Sequence, residues 1–242
     1  MSDYKTIHGI SIRDYTTDPD NLIVGQVWFD KTNKVLQFQA TGAGAWSTGG
    51  SLNVGGRYGS GFGTQTSGLI FGGLRQGLSA DRGETEQYNG TSFTEVGDLN
   101  TARSLYGESG VGTTTAGACI AGYSNPGNSN YANVENWNGS GWAETTDVNT
   151  ARNALGGSGT YTEGVIFAGR APSKSGHTER WNGTAWTEQN NMSRNVAYVG
   201  NATASGTSTF TATADSNANP SAPAACEEWN DPTISTKTAD TD

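Results

Sequence analysis

The sequence predicts an all-β protein built as a β-propeller of four repeats, and three observations carry that prediction. The first is composition: 35 of 242 residues are glycine, 15% are charged and 33% hydrophobic, against roughly 25% and 45–50% in ordinary globular chains. With only 6 prolines and no Gly-X-Y period the chain is not collagen-like, and its 7 Trp, 9 Tyr and 7 Phe are rings that a disordered chain lacks. The second is an aromatic-Asn-(Gly or Asp) signature at Tyr88-Asn89-Gly90, Trp137-Asn138-Gly139, Trp181-Asn182-Gly183 and Trp229-Asn230-Asp231, spaced by 49, 44 and 48 residues. A period in this range marks stacked repeat units. The third is the absence of any sustained helical period of 3.6 residues.

Each element follows in chain order. Residues 1–21 read as an extended N-terminal arm, with Asp18-Pro19-Asp20 near its end. Residues 22–50 hold a β-hairpin, Gly25 to Phe38, alternating on both sides of Asp30-Lys31-Thr32-Asn33, and Ala45-Trp46-Ser47 reads as a further strand. Residues 51–242 carry the repeats. In each unit the first strand follows an arginine and carries Gly-x-(Gly or Ala)-Thr, at Gly61–Thr64, Gly110–Thr113, Gly157–Thr160 and Gly200–Thr203. The second is an apolar run closing on a small pair: Leu69–Gly73, Ala118–Gly122 and Val165–Gly169. The third reads Glu-x-(Trp or Tyr), and Asn-Gly is expected to supply positive-φ residues for a tight turn. The fourth begins with Phe93, Trp142 or Trp186. Small residues suit a crowded centre and bulky rings the wider wedge between blades. The last unit departs, with no glycine pair in Thr207–Ala214 and Asn230-Asp231-Pro232 for Asn-Gly. Two arrangements stay open: four blades plus a separate N-terminal motif, or five blades closed by strands from 22–48 with the C-terminal tail.

The unit then resembles the kelch-repeat family, whose mark is a double glycine followed by a spaced aromatic pair. Gly72-Gly73 with Tyr88 and Phe93 matches it, while the second and third units read Ala-Gly. The resemblance covers about residues 50–240 and implies a propeller without a particular activity. The segment Gly25-Gln26-Val27-Trp28, ending in Thr32-Asn33-Lys34, is similar to one at the start of tail-fibre and other virion proteins of tailed phages. Kelch-like units in such proteins resemble Trp181–Glu188, Asn100–Arg103 and Asn149–Arg152. The combined resemblance implies a structural virion protein, a fibre or spike component without enzyme activity. It would act in host attachment, anchored to other virion proteins by its N-terminal arm, binding a host-surface glycan or protein, and homo-oligomeric, a trimer being the usual fibre arrangement. An intracellular kelch-type adaptor is the alternative, and a glycan-processing propeller enzyme a third reading.

Charge and motif counts bear on these classes. A formal net charge of −9 with 14 scattered basic residues disfavours nucleic acid. The start Met1–Lys5 opens no secretory signal. No apolar stretch approaches the ~18 residues of a membrane span, so synthesis in a cytoplasm without membrane insertion is expected, and the resemblance to phage proteins implies virion localisation. Cys119 and Cys226, without metal-ligand spacing, read as buried thiols. No cofactor or metal is expected, since His8 and His177 are the only histidines. Ser79-Ala80-Asp81-Arg82-Gly83 resembles a sialidase box in one copy without its downstream Trp.

Repetition marks scaffold. Arg57, Arg103, Arg152 and Arg194 are expected to form ion pairs, or carbonyl contacts, with Glu86, Glu135, Glu179 and Glu227. Function is expected where the chain does not repeat, in the loops Leu74–Gly83, Tyr123–Ala132, Arg170–Gly176 and Asp215–Pro223. Their candidate binding residues are Arg75, Arg82, Tyr123, Asn128, Tyr131, Arg170 and Lys174.

Overall fold

The repeated Gly-x-(Gly or Ala) and apolar segments become strands. The computed structural model describes residues 13–17, 26–38, 48–75, 77–205, 208–213 and 225–230, and among these the regular structure is all β. The chain divides into two compact units, Met1–Thr48 and Gly49–Asp242.

The first unit holds β1 (Arg13–Tyr15), β2 (Val27–Asp30) and β3 (Val35–Phe38). β2 and β3 form the expected hairpin, from Val27 opposite Phe38 to Asp30 opposite Val35. Arg13–Tyr15, which fall in the expected arm, run parallel to β2. The turn is organised by Asp30, whose carboxylate accepts the N–H groups of Thr32 (2.8 Å) and Asn33 (3.0 Å) and the side-chain amides of Asn33 and Gln37. These bonds, led by the Asn33 N–H, hold the carboxyl below its ordinary range. The rest of the arm and Ala45-Trp46-Ser47 lie outside the described residues.

The second unit begins with β4 (Gly56–Arg57), β5 (Ser60–Thr64), β6 (Ser67–Phe71), β7 (Leu74–Arg75), β8 (Thr85–Tyr88) and β9 (Phe93–Glu95). There follow β10 (Gly110–Thr113), β11 (Ala116–Ser124), β12 (Ser129–Trp137) and β13 (Trp142–Glu144). Then come β14 (Gly156–Gly159), β15 (Gly164–Phe167), β16 (Thr178–Trp181) and β17 (Trp186–Glu188), and finally β18 (Gly200–Ser205), β19 (Ser208–Thr213) and β20 (Ala225–Asn230). Three antiparallel four-stranded sheets result, β5-β6-β8-β9, β10-β11-β12-β13 and β14-β15-β16-β17, with a three-stranded sheet, β18-β19-β20, after them. β4 and β7 pair separately. Within each sheet the strands run in chain order, and β10 lies beside β5, β14 beside β10 and β18 beside β14.

Cores lie between consecutive sheets, and strand alternation decides which residue enters which core. On β6, Leu69 and Phe71 join Cys119, Trp137 and Trp142 of the second sheet. On β11, Cys119 faces back while Ala118 and Ile120 join Ile166, Trp181 and Trp186 of the third. On β15, Ile166 faces back while Val165 and Phe167 meet Val196, Val199 and Trp229. The second strand of a unit is thus covered on both faces, which is why it reads as an unbroken apolar run. The first sheet is the exception. Ile70 is 38% exposed, whereas Cys119 and Ile166, which also pair with the first glycine of Gly-x-Gly, are 0% exposed.

The small pair has a backbone cause. Its first residue is left-handed, Gly72 at φ 63°, Ala121 at 59° and Ala168 at 62°, a region alanine enters at modest cost. The second lies at φ 107°, 129° and 105°, and is Gly73, Gly122 and Gly169. The Asn-Gly turn differs from expectation. Tyr88 pairs with Phe93, so four residues form the loop, and glycine alone takes positive φ (Gly90, 94°). The asparagine instead accepts bonds: Asn89 Oδ1 takes the N–H groups of Thr91 and Ser92, each at 2.9 Å.

Between the first two sheets, Trp142 Nε1 donates to Thr85 Oγ1 at 2.9 Å. Trp186 holds the same place in the third sheet, but Val134 replaces the threonine and the buried Trp186 Nε1 has no acceptor. The equivalence of Thr85 and Val134 follows from their carbonyls, which accept Val96 N and Thr145 N, both at 2.9 Å. Val134→Thr is expected to raise the urea midpoint by giving Trp186 an acceptor. Thr85→Val is expected to cost about 1–3 kcal/mol by orphaning Trp142. Equal effects of the two substitutions would contradict this.

Candidate functional site

Two constellations occupy the second unit, a repeated buried one and a recess that does not repeat. In the buried one, Glu135 Oε2 accepts the backbone N–H (2.7 Å) and the side-chain amide (2.9 Å) of Asn100, and Oε1 accepts Thr101 N and Arg103 Nη2 (2.6 Å). Asn100 also donates to the Trp142 carbonyl at 3.1 Å, and Arg103 Nη1 to that of Asn133 at 3.1 Å. Glu179 repeats the pattern with Asn149, Thr150 and Arg152 Nη1 (2.6 Å). Arg103, Glu135, Arg152 and Glu179 are at most 1% exposed. Burial pulls the Arg152 guanidinium below its ordinary range, and Glu179 opposes that shift. Each cluster ties the segment entering one sheet to that sheet's third strand. Cys119, buried beside Arg103, is a free thiol pushed up by that burial; the side chain of Cys226 lies outside the described residues.

The first and fourth units change the arginine. Arg57 faces Leu74 as Ser104 faces Tyr123 and Asn153 faces Arg170, so Gly56, and not Arg57, stands where Arg103 and Arg152 stand. Arg57 is instead exposed, its guanidinium 5.1 Å from the centre of the Tyr58 ring. Arg82, expected to bind a ligand, is 6% exposed and fills the space at Gly56: a Cβ there would lie 2.5 Å from Arg82 Nη1. It faces Glu86 at 3.8 Å and Glu84 at 3.5 Å. Glu86 keeps its other partners, Asn53 N at 2.7 Å and Val54 N at 3.0 Å. In the fourth unit Gly169 N meets the Val196 carbonyl as Gly73 N meets that of Arg103 and Gly122 N that of Arg152. Val196 thus stands at the arginine's place, and Arg194 lies two residues before it. Ser193 N still donates to Glu227 Oε2 at 2.8 Å, while the buried Oε1 has no hydrogen-bond partner.

The recess, of about 550 Å³, opens among Tyr106, Tyr123, Asn128, Asn130, Asn153, Arg170 and Tyr198, with Ser129 and Pro172 completing its lining. Tyr106 stacks on Tyr58, ring centres 4.2 Å apart, and meets Tyr123 edge-on at 5.9 Å. Its hydroxyl donates to Asn125 Oδ1 at 2.8 Å. Asn125 is fixed in turn by Asp81, which accepts its side-chain amide at 2.6 Å and its N–H at 2.9 Å, and by Ser104 Oγ at 2.7 Å. Burial pushes the Tyr106 hydroxyl up. Asn130 is fixed too, donating to the Arg170 carbonyl at 3.0 Å and accepting from Asn153 Nδ2 at 2.6 Å. Tyr123 donates to Asn128 Oδ1. Three tyrosines, Tyr58, Tyr106 and Tyr198, hold φ of 60°, 57° and 59°, a left-handed conformation uncommon outside glycine that gathers at functional sites.

Of the residues expected to bind, the structure gathers Tyr123, Asn128 and Arg170. Arg75 pairs with Glu84 on β7. Tyr131 lies half-buried on β12, and Lys174 half-buried opposite Arg170 in a backbone bridge; neither is among the residues lining the recess. Tyr123–Ala132, expected to be a loop, is mostly strand, because β11 and β12 continue past a bulge after Ile120 to pair Ser124 with Ser129. Asp215–Pro223 lies outside the described residues. Tyr58, Tyr106, Asn130, Asn153 and Tyr198 lie outside the residues the sequence marks; the signal it carries is a tyrosine one, three or four residues after Arg57, Arg103 and Arg194. Asp81, in the box resembling a sialidase's, is engaged by Asn125 and Ser104. Among the described residues no helix is long and apolar enough to cross a membrane. No protein-family model matches the chain, and a search of curated proteins finds no match.

Proposed function

We propose that the chain is a non-catalytic recognition protein: a kelch-like β-propeller whose tyrosine-lined recess holds its ligand. Four observations support the propeller. Strands run in chain order within each sheet, innermost strands neighbour one another, cores lie between sheets, and a backbone relay links the units. In that relay Leu105 N donates to the Tyr58 carbonyl (2.8 Å), Ala154 N to that of Leu105 (3.2 Å) and Tyr198 N to that of Ala154 (2.9 Å). The exposed Ile70 face is where a ring of this kind closes.

The particular role we propose is that of a fibre or spike component of a tailed-phage virion, attaching the particle to its host. The recess carries this reading. It is concave, walled by fixed amides and open rings, within the ~300–1,000 Å³ range of small-ligand sites. A single weak site becomes effective when many copies are arrayed on one particle, because the effective concentration rises. The N-terminal unit is assigned the anchor, and trimeric assembly follows from the same reading. Purified particles labelled with an antibody to this chain test the role. Label on the tail or its fibres is the expected result in electron micrographs. Unlabelled particles, with the chain left in the soluble fraction as a free monomer, would favour the intracellular adaptor.

A further inference from the structure

We infer that the recess recognises a carboxylate-bearing glycan, with Arg170 taking the acid group. The inference rests on the recess being the recognition site and names what it recognises.

Charge is the first observation. The chain carries 23 acidic residues and a net charge of −9, yet none of the residues lining the recess is acidic, and Arg170 is its sole cation. The Arg170 side chain is exposed and makes no ion pair or side-chain hydrogen bond among the described residues. The Arg170 backbone is fixed: its N–H and carbonyl bridge Asn153, at 2.8 and 3.2 Å, and its carbonyl also receives Asn130. A guanidinium on a fixed backbone, with its fork free, suits bidentate capture of a carboxylate.

The remaining capacity points to a sugar ring. Tyr198 is 47% exposed and makes no side-chain hydrogen bond among the described residues. Its ring face is therefore open to the C–H groups of a pyranose, and its hydroxyl to a sugar hydroxyl. Asn128 gives Oδ1 to Tyr123 and keeps its amide donors, while Asn153 gives one amide hydrogen to Asn130 and keeps its oxygen. A donor and an acceptor in one recess with the open Tyr198 ring match the mixed donor–acceptor edge of a saccharide.

Isothermal titration of the full chain with a galacturonic acid trisaccharide, its methyl ester and pentaglutamate tests the inference. The acid is expected to bind at least about tenfold more tightly than the ester, and to lose that advantage as salt is raised. Arg170→Gln is expected to abolish the difference between acid and ester. Tyr198→Asn, an exchange that tolerates the left-handed backbone, is expected to weaken both. Thermal melts of the variants verify that each is folded. Equal binding of acid and ester overturns the inference, as does pentaglutamate binding as tightly as the trisaccharide, or no binding of the acid. In the last case, particles that still adhere to host cells leave the recognition reading standing and sink only the ligand assignment.

Discussion

Glu135→Ala is expected to destabilise the second unit by about 3–5 kcal/mol, because it leaves a fully buried guanidinium without its counter-charge. Arg103 is 0% exposed and donates to Glu135 at 2.6 Å, so no solvent replaces the lost carboxylate. Three further donors, the N–H groups of Asn100 and Thr101 and the Asn100 amide, lose their acceptor in the same step. Removing the arginine alone is expected to cost less. In Arg103→Met the carboxylate keeps those three bonds, and the fold already tolerates an apolar residue at this place, since Val196 occupies it in the fourth unit. Urea unfolding of both variants measures the order, Glu135→Ala below Arg103→Met below wild type. A loss under about 1 kcal/mol for Glu135→Ala, the scale of an exposed pair, would contradict the account.

Gly122→Ala is the second large effect. Gly122 sits at φ 129°, and a Cβ there would lie 3.1 Å from both Arg103 Cδ and the Ser104 carbonyl oxygen. The backbone alone accounts for about 1–3 kcal/mol, and the crowded Arg103 stem adds to it. The adjacent Ala121, at φ 59°, is the built-in control: Ala121→Gly is expected to shift the melting temperature far less. Comparable losses at the two positions would show that the small pair is set by space and not by backbone conformation.

These two sites also show what the sequence makes legible. The second strand of the second and third units stands out because it is covered on both faces, so alternation vanishes and mainly apolar residues remain. The glutamates of the first three units stand out because one carboxylate serves the same three backbone and asparagine donors in each. The arginines are harder to place. From Arg57, Arg103, Arg152 and Arg194 to the glycine that opens Gly-x-(Gly or Ala) the spacings are 4, 7, 5 and 6 residues. Only backbone pairing reveals that Gly56 and Val196 hold the arginine's place and that Arg82 arrives from a loop to fill the first. The recess is hidden for the same reason. Its tyrosines Tyr106 and Tyr198 enter at different offsets from those arginines, and its amides come from the turn between β11 and β12, from β12 and from the segment before β14. Tyr123, Asn128 and Arg170 were visible because they sit where the units stop repeating.

We propose that the recess is the recognition surface. Its most direct test is the affinity of the full chain for a polysaccharide that wild type binds, chosen from a panel of acidic and neutral ones, compared between wild type, an Arg170→Gln/Tyr198→Asn double variant and Thr115→Ala, a substitution in the exposed turn between β10 and β11. The double variant is expected to lose at least about tenfold in affinity, or ~1.4 kcal/mol, with Thr115→Ala binding as wild type. A double variant that stays folded and binds the polysaccharide as tightly as wild type would contradict the claim.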